Sequence, residues 1–149
     1  MKTILFLLLI LSFTTFTALA LDHDDGPPLD YLKSNYKAAA VVAHVRVLDA
    51  SSVNKVGGYE NWQINAVVVE SFKGSLGKGA EIKYLEPTES GFKKERFLGE
   101  KIIFLKNKNF KDKKHHYTAI ENSTVPTTKN VIKNLKVRAG HSIDTSRSR

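Results

Sequence analysis

Apolar residues recur at strand spacing along much of the chain. In the first such segment, Val41, Ala43, Val45 and Val47 form one apolar face, whereas His44 among them points to the other side. A period of two residues is typical of a strand with one buried face. This pattern, with short apolar runs, predicts five strands, over residues 39–48, 62–69, 81–85, 101–105 and 117–120.

The pattern departs from simple alternation at four places. Residues 101–105 are apolar on both faces, which predicts a central strand. The alternation slips at residues 70–72, which suggests a β-bulge. Residues 51–59 contain Gly57-Gly58 and are predicted to form a loop, and the third strand is predicted to end at Pro87.

Helical spacing occurs only at the flanks. Residues 29–36 carry apolar side chains at positions 29, 32 and 36, which predicts one or two helical turns. Near the other end, Thr127-Thr128 is suited to cap a short helix whose apolar face is Val131, Ile132 and Leu135. Five short strands with flanking helices predict a mainly β fold, a small five-stranded OB-like β-barrel. Its core is predicted to include the aromatic residues Trp62, Phe72, Tyr84 and Phe104.

The first residues have the pattern of a secretory signal peptide. Lys2 precedes an uninterrupted apolar stretch, and small residues follow at Ala18-Leu19-Ala20, so cleavage is predicted between Ala20 and Leu21. The stretch is too short for a transmembrane anchor. The chain is thus divided into a signal peptide (1–20), a flexible lead-in (21–28), an OB-like domain (29–137) and a disordered basic tail (138–149), and its location is predicted to be extracytoplasmic, periplasmic or secreted.

Charge and cysteine content narrow the classes of partner. Loss of Lys2 with the signal peptide lowers the net charge from +8 to +7. A basic surface attracts anionic polymers, although a moderate positive charge also serves solubility alone. The chain has no cysteine, so an exported fold must be stable through packing without disulfides.

Two stretches resemble a known family. Val69-Glu70-Ser71-Phe72-Lys73-Gly74, and Phe97-Leu98-Gly99-Glu100-Lys101 leading into the apolar strand, resemble the TIMP-like or netrin-module OB-fold family, especially its stand-alone bacterial members. The resemblance covers roughly residues 29–120 and implies the OB-fold and a bacterial periplasmic location. Family members that inhibit metalloproteases begin their mature chain with a cysteine, whereas this mature chain begins at Leu21. The cysteine on which the inhibitory mechanism depends therefore has no counterpart in this chain.

The densest basic run is one candidate binding site. It interleaves an aromatic ring with cations at Lys106, Lys108, Phe110, Lys111, Lys113 and Lys114. OB barrels that bind single-stranded nucleic acid use cations along the phosphates and aromatic rings against the bases. The alternative is a solvated loop between two strands, and export argues against routine contact with nucleic acid.

The histidines and hydroxyls give little support for a metal site or for catalysis. After cleavage, His23 becomes the third residue of the mature chain, where its ring, two amides and the α-amino group can bind Cu(II) or Ni(II) in a square plane. His115-His116 are adjacent and lack accompanying ligands, so a solvated loop is the preferred interpretation. No nucleophile motif is present. Asn122-Ser123-Thr124 is a glycosylation sequon that matters only in a eukaryotic secretory pathway.

The sequence therefore predicts an exported, non-catalytic binding module without a cofactor. Its expected partner is another protein, such as a protease or an envelope component. Two alternatives stay open: polyanion binding through the run from Lys106 to Lys114, and a hydrolase with an unrecognised site. The sequence indicates neither the oligomeric state nor the ligand.

Overall fold

The computed structural model describes residues 26–107 and 117–140. The strands are β1 (Val41–Val56), β2 (Tyr59–Lys73), β3 (Glu81–Glu89), β4 (Gly99–Asn107), β5 (Tyr117–Ala119) and β6 (Val125–Pro126). Two helices, α1 (Leu29–Ala38) and α2 (Lys129–Arg138), flank them, and a short 3₁₀ helix (Lys94–Arg96) precedes β4. In the described ranges, no helix is long and apolar enough to cross a membrane.

Five of the strands close into a barrel. They are hydrogen-bonded in the order β1-β2-β3-β5-β4, and β4 pairs with β1 to complete the circle. The β3–β5 pairing is parallel and the other barrel pairings are antiparallel. The short strand β6 adds to β4. The predicted fold class, a mainly β protein with a small OB-like barrel and flanking helices, is confirmed.

The barrel interior is filled by alternate residues of its strands. The inward-facing side chains are those that the alternation predicts, and the largest contributions come from Trp62, Ile64, Tyr84, Ile103 and Leu105. All five are buried. Each large apolar side chain removed from water contributes roughly 1.5–3 kcal/mol to folding, so this cluster is a major source of stability in a chain without disulfides.

A second core lies outside the barrel, beneath the two helices. Ile102 and Phe104 of β4 pack there against Leu32 of α1 and against Val131 and Leu135 of α2. β4 is thus buried on both faces, as the sequence predicts for a central strand. The Thr128 hydroxyl caps α2 by accepting a hydrogen bond from the Val131 amide at 3.2 Å, as the sequence also predicts.

A β-bulge near the end of β2 determines which of the two cores contains the ring of Phe72. The β1–β2 register skips Val69, which reverses the alternation, so Ser71 pairs with the barrel-facing Ala43 and the next residue lies on the other face. Phe72 therefore packs in the second core rather than inside the barrel. The bulge and the burial of Phe72 agree with the sequence-based prediction.

The same turn of chain attaches α1 to the barrel. The Lys73 ammonium donates to the backbone oxygens of Tyr36 and Lys37 at 2.8 and 3.3 Å, at the C-terminus of α1. The Tyr36 hydroxyl donates in return to the Phe72 carbonyl at 2.8 Å. A cation suits this position because the last carbonyls of a helix carry partial negative charge.

Three boundaries differ from the sequence-based predictions. The segment 51–59 is a hairpin rather than a loop, because Gly57 and Gly58 both adopt positive φ (58° and 85°) and join the exposed ends of β1 and β2 in a two-residue turn. β3 continues through Pro87 to Glu89. β6 has only two residues and carries no strand pattern of its own. The predicted signal peptide, residues 21–25 of the lead-in and residues 141–149 of the tail lie outside the described residues.

Gly74 provides a test of the packing between β2 and β1. Its φ is +90°, and a Cβ there would lie 2.9 Å from Val41 Cγ2 and 3.1 Å from the Ala40 oxygen. We expect Gly74→Ala to lower the free energy of unfolding by about 2 kcal/mol or more, since it combines backbone strain with a steric clash. Urea unfolding followed by circular dichroism measures the loss.

Two nearby glycines serve as controls for this prediction. Gly77→Ala meets no atom within 4 Å and requires no positive φ, so its cost should stay within about 0.5 kcal/mol. Gly79→Ala has φ +83° and open space, so it isolates the backbone strain. Equal stability of the Gly74 and Gly77 variants would contradict the close approach of Gly74 to β1.

Candidate functional site

A cleft of about 320 Å³ opens at one end of the barrel. We call it the mouth cleft; it is lined by residues 86–88 of β3, by the segment from Phe92 to Phe97, by Lys101 of β4 and by residues 122–126. It forms because β3 pairs with β5 only at Tyr84 and Leu85, after which β3 stays paired with β2 while its other edge has no neighbouring strand. Its volume lies at the lower end of the range for small-ligand sites.

Phe97 separates the cleft from the barrel core. Its ring packs on Trp62 with a centroid distance of 4.7 Å and an interplanar angle of 34°. Phe97 belongs to the interior cluster and also lines the cleft. The segment that carries Phe97 is fixed to β1 by an ion pair between Lys94 and Asp49. The Lys94 ammonium holds the pKa of the Asp49 carboxyl below its ordinary value.

Glu86 places a carboxyl group in the barrel mouth. It follows Ile82 and Tyr84 at strand spacing and pairs directly with Trp62 on β2, so it continues the inward-facing row. Burial raises the pKa of Glu86, and the Thr124 hydroxyl, Lys101 and Arg96 offset part of this rise. The Thr124 hydroxyl faces the carboxylate, yet neither Glu86 Oε2 nor Thr124 Oγ1 has a hydrogen-bond partner at good geometry, although both atoms are buried.

Two cations complete the polar set of the cleft. The Arg96 guanidinium lies over the Phe92 ring, 3.6 Å from its centroid, which restricts its orientation. Lys101 has the same strand parity as Ile103 and Leu105, so β4 directs it toward the barrel mouth. Across residues 26–107 and 117–140, no ion pair joins Glu86 to Arg96 or to Lys101. The cleft thus holds one buried carboxyl group and two cations that form no ion pair with another residue of the described ranges.

The remaining wall is a tight turn. Asn122 has a positive φ of 55°, and its carbonyl accepts a hydrogen bond from the Tyr31 hydroxyl of α1. The buried Ser123 hydroxyl donates to the Ile120 carbonyl at 2.6 Å, and the Phe104 carbonyl lies 3.3 Å away. Short polar side chains such as that of Asn tolerate this left-handed backbone. The turn is therefore fixed to both α1 and β4.

The structure describes only the first residue of the predicted basic run. Lys106 is exposed near the end of β4. Lys108, Phe110, Lys111, Lys113 and Lys114 lie outside the described residues. The run leaves the barrel at Asn107 and returns at Tyr117, and these two residues pair with each other. β4 begins at Gly99, on the side of the mouth cleft, whereas Lys106 lies near its other end.

His44 takes part in an ion-pair network on the outer face. It faces away from the barrel interior, as predicted, but only 7% of its surface is exposed. Its Nε2 lies 3.1 Å from Glu100 Oε2, and Arg46 donates to Glu100 Oε1 at 3.2 Å. The hydrogen bond from Arg46, and then that from His44, hold the pKa of Glu100 below its ordinary value.

The network around His44 does not form a catalytic arrangement. Within the part of the chain that the structure describes, the hydroxyls of Ser71 and Ser123 donate to backbone carbonyls, and no hydroxyl contacts a histidine. The same residues contain no group of His, Asp and Glu side chains suited to a metal ion. His23, His115 and His116 lie outside them, so the copper or nickel hypothesis stays a prediction.

Comparison of the chain with protein-family models and with curated protein sequences finds no match.

The alternation of β3 predicts that Glu86 faces the barrel interior only if the strand continues past Leu85. Ile82, Tyr84 and Glu86 are spaced two residues apart, so a strand that continues past Leu85 directs Glu86 inward. Because the sequence predicts strand residues 81–85 and an end at Pro87, it does not place Glu86 inside the barrel. Arg96 and Thr124 enter the cleft through a 3₁₀ helix and a turn, which have no comparable periodicity.

Glu86 should make stability depend on pH. Because its pKa is raised in the folded state, the folded protein binds a proton more tightly than the unfolded chain, and stability falls as pH rises from the ordinary pKa through the folded pKa. We expect Glu86→Gln to be more stable than the wild type at pH 7 and equal to it near about pH 4, where both side chains are neutral. Thermal unfolding at both pH values tests this.

The matched control is Glu89→Gln, at an exposed position of the same strand. Its difference from the wild type should be small and similar at both pH values. A Glu86→Gln variant that is less stable than the wild type at pH 7 would contradict the cost assigned to the buried carboxylate.

Proposed function

We propose that this protein is an exported, non-catalytic module that binds another protein through the mouth cleft. The observation that carries the proposal is the buried Glu86 Oε2, which has no hydrogen-bond partner and lies in the same cleft as two cations that form no ion pair with a described residue. A buried polar atom without a partner costs free energy, commonly about 1–3 kcal/mol, and a bound ligand that supplies the missing hydrogen bond recovers it.

The construction of the cleft supports a binding role. Phe97 closes its floor, Phe92 supports the Arg96 guanidinium, and the hydrogen bond between Tyr31 and Asn122 fixes one wall. Polar groups that are oriented before binding lose less conformational entropy when a ligand arrives. The cleft is therefore already organised in the free protein.

Export and a protein partner rest on the sequence. The pattern of residues 1–20 supports secretion, with cleavage between Ala20 and Leu21. The resemblance to TIMP-like or netrin-module proteins supports a protein partner, such as a protease or an envelope component, and the OB-like strand order is compatible with that family. The absence of a hydroxyl–histidine contact among residues 26–107 and 117–140 favours binding over hydrolysis.

Affinity capture with cleft variants tests the proposal. The full chain is expressed, and the exported protein is immobilised and incubated with extracytoplasmic extract at low and high salt. We expect one protein to be retained at both salt concentrations and to be lost with Arg96→Met, which removes the guanidinium from the Phe92 ring. The matched control is Lys133→Met, an exposed cation of α2 that does not line the cleft. Equal retention by both variants would refute binding through the cleft.

Salt dependence and charge variants separate the polyanion alternative from binding through the cleft. Retained material of mixed identity that is lost at high salt would indicate charge-driven binding. In that case, neutralising Lys108, Lys111, Lys113 and Lys114 together should abolish retention while Arg96→Met leaves it unchanged. A protein that retains nothing but turns over a substrate in a broad hydrolase screen would favour the enzyme alternative.

A further inference from the structure

The unsatisfied groups of the mouth cleft specify the chemistry of a ligand. Arg96, which is exposed, and Lys101, which is half-buried, offer positively charged donors that suit an anionic acceptor. Glu86 Oε2 accepts and needs a donor, and the Thr124 hydroxyl is able to do either. A complementary ligand therefore carries an anionic group and an N–H or O–H donor close together.

The geometry of Arg96 narrows the anion to a planar or tetrahedral oxyanion. A guanidinium presents its donors as a flat fork that matches carboxylate and phosphate oxygens in pairs. The Phe92 ring supports one face of this fork at 3.6 Å, so its edge is left for the ligand. The Lys101 ammonium adds a second, less directional charge in the same cleft.

Glu86 distinguishes a carboxylate from a phosphate. A phosphate monoester carries nearly two negative charges at neutral pH and, as the dianion, has no donor for Glu86 Oε2. Its second charge would be repelled by the buried carboxyl group, which is already disfavoured in its ionised form. A single carboxylate next to a peptide N–H avoids both problems, because the N–H donates to Glu86 while the carboxylate meets the cations.

We propose that the mouth cleft binds the carboxyl terminus of a partner's chain, with the terminal carboxylate on Arg96 and Lys101 and the last peptide N–H donating to Glu86 Oε2. This inference rests on the proposed function and names the part of the partner that is recognised. A cleft of about 320 Å³ accommodates the end of a chain but not a folded surface. The open side of the cleft lets the preceding residues of the partner leave toward solvent.

A pair of small probes tests this assignment. The protein, purified from cells that express the full chain, is labelled with ¹⁵N and titrated with N-acetyl-Ala-Ala and with its carboxamide, and shifts in the amide signals give Kd. We expect the acid to cause saturable shifts in the amide signals of the cleft-lining residues other than proline, among them Glu86, Arg96 and Thr124. The carboxamide should bind about tenfold or more weakly, since a charge-assisted pair is lost.

Three variants assign the roles of the side chains. Arg96→Met should weaken the acid about tenfold and leave the carboxamide nearly unchanged. Arg96→Lys keeps the charge but loses the fork, so its Kd should fall between those of the wild type and Arg96→Met. Lys133→Met is the control and should bind the acid as the wild type does.

The outcomes separate this inference from the proposed function. Equal Kd values for acid and carboxamide would overturn recognition of the carboxylate, while binding through the cleft would stand. Inorganic phosphate that binds as tightly as the acid would also overturn it, because the site would then select charge alone. If no probe shifts the cleft signals but a captured protein still depends on Arg96, the inference fails and the proposed function survives.

Discussion

Burial of β4 on both faces is the constraint on which the rest of this structure depends. Ile103 and Leu105 fill the barrel, and Ile102 and Phe104 fill the space beneath the helices, so one strand belongs to both cores. A strand without a solvent face needs a cover on each side. The closed sheet provides one cover, and α1 with α2 provides the other. The helices are therefore part of the minimal stable fold and not additions to a self-sufficient barrel.

The bulge in β2 and the anchor of α1 follow from that arrangement. Phe72 packs in the second core because the β1–β2 register shifts near the end of β2. Lys73, the next residue, then contacts the C-terminus of α1. Gly74, which follows, allows β1 to approach closely. The segment from Val69 to Gly74 thus has a physical role in this chain, because its last three residues join the bulge, the helix and the first strand. This role is structural and leaves the site to other parts of the fold.

How much of the protein is predictable from its sequence depends on whether burial or a turn positions a residue. Alternation identifies the barrel-facing residues of β1 and β2, and the doubly apolar run identifies β4, because burial imposes a period that the sequence must follow. The exposed hairpin escapes prediction because its few apolar residues, such as Val53 and Val56, do not alternate with polar ones. The cleft escapes it because Arg96 and Thr124 depend on a 3₁₀ helix and a turn, where tertiary contacts set position.

The backbone at the open edge of β3 explains why side chains define the cleft. The Leu85 carbonyl accepts a hydrogen bond from the Thr118 hydroxyl of β5 at 3.2 Å, so the backbone groups of Leu85 point away from β2. Those of Pro87 point the same way, since backbone groups alternate along a strand. Because this position faces away from β2, a proline does not interrupt the β2–β3 ladder, and its missing N–H weakens the open edge as a template for another strand. A ligand at this edge is therefore held by the side chains of Glu86, Arg96 and Lys101 rather than by strand addition.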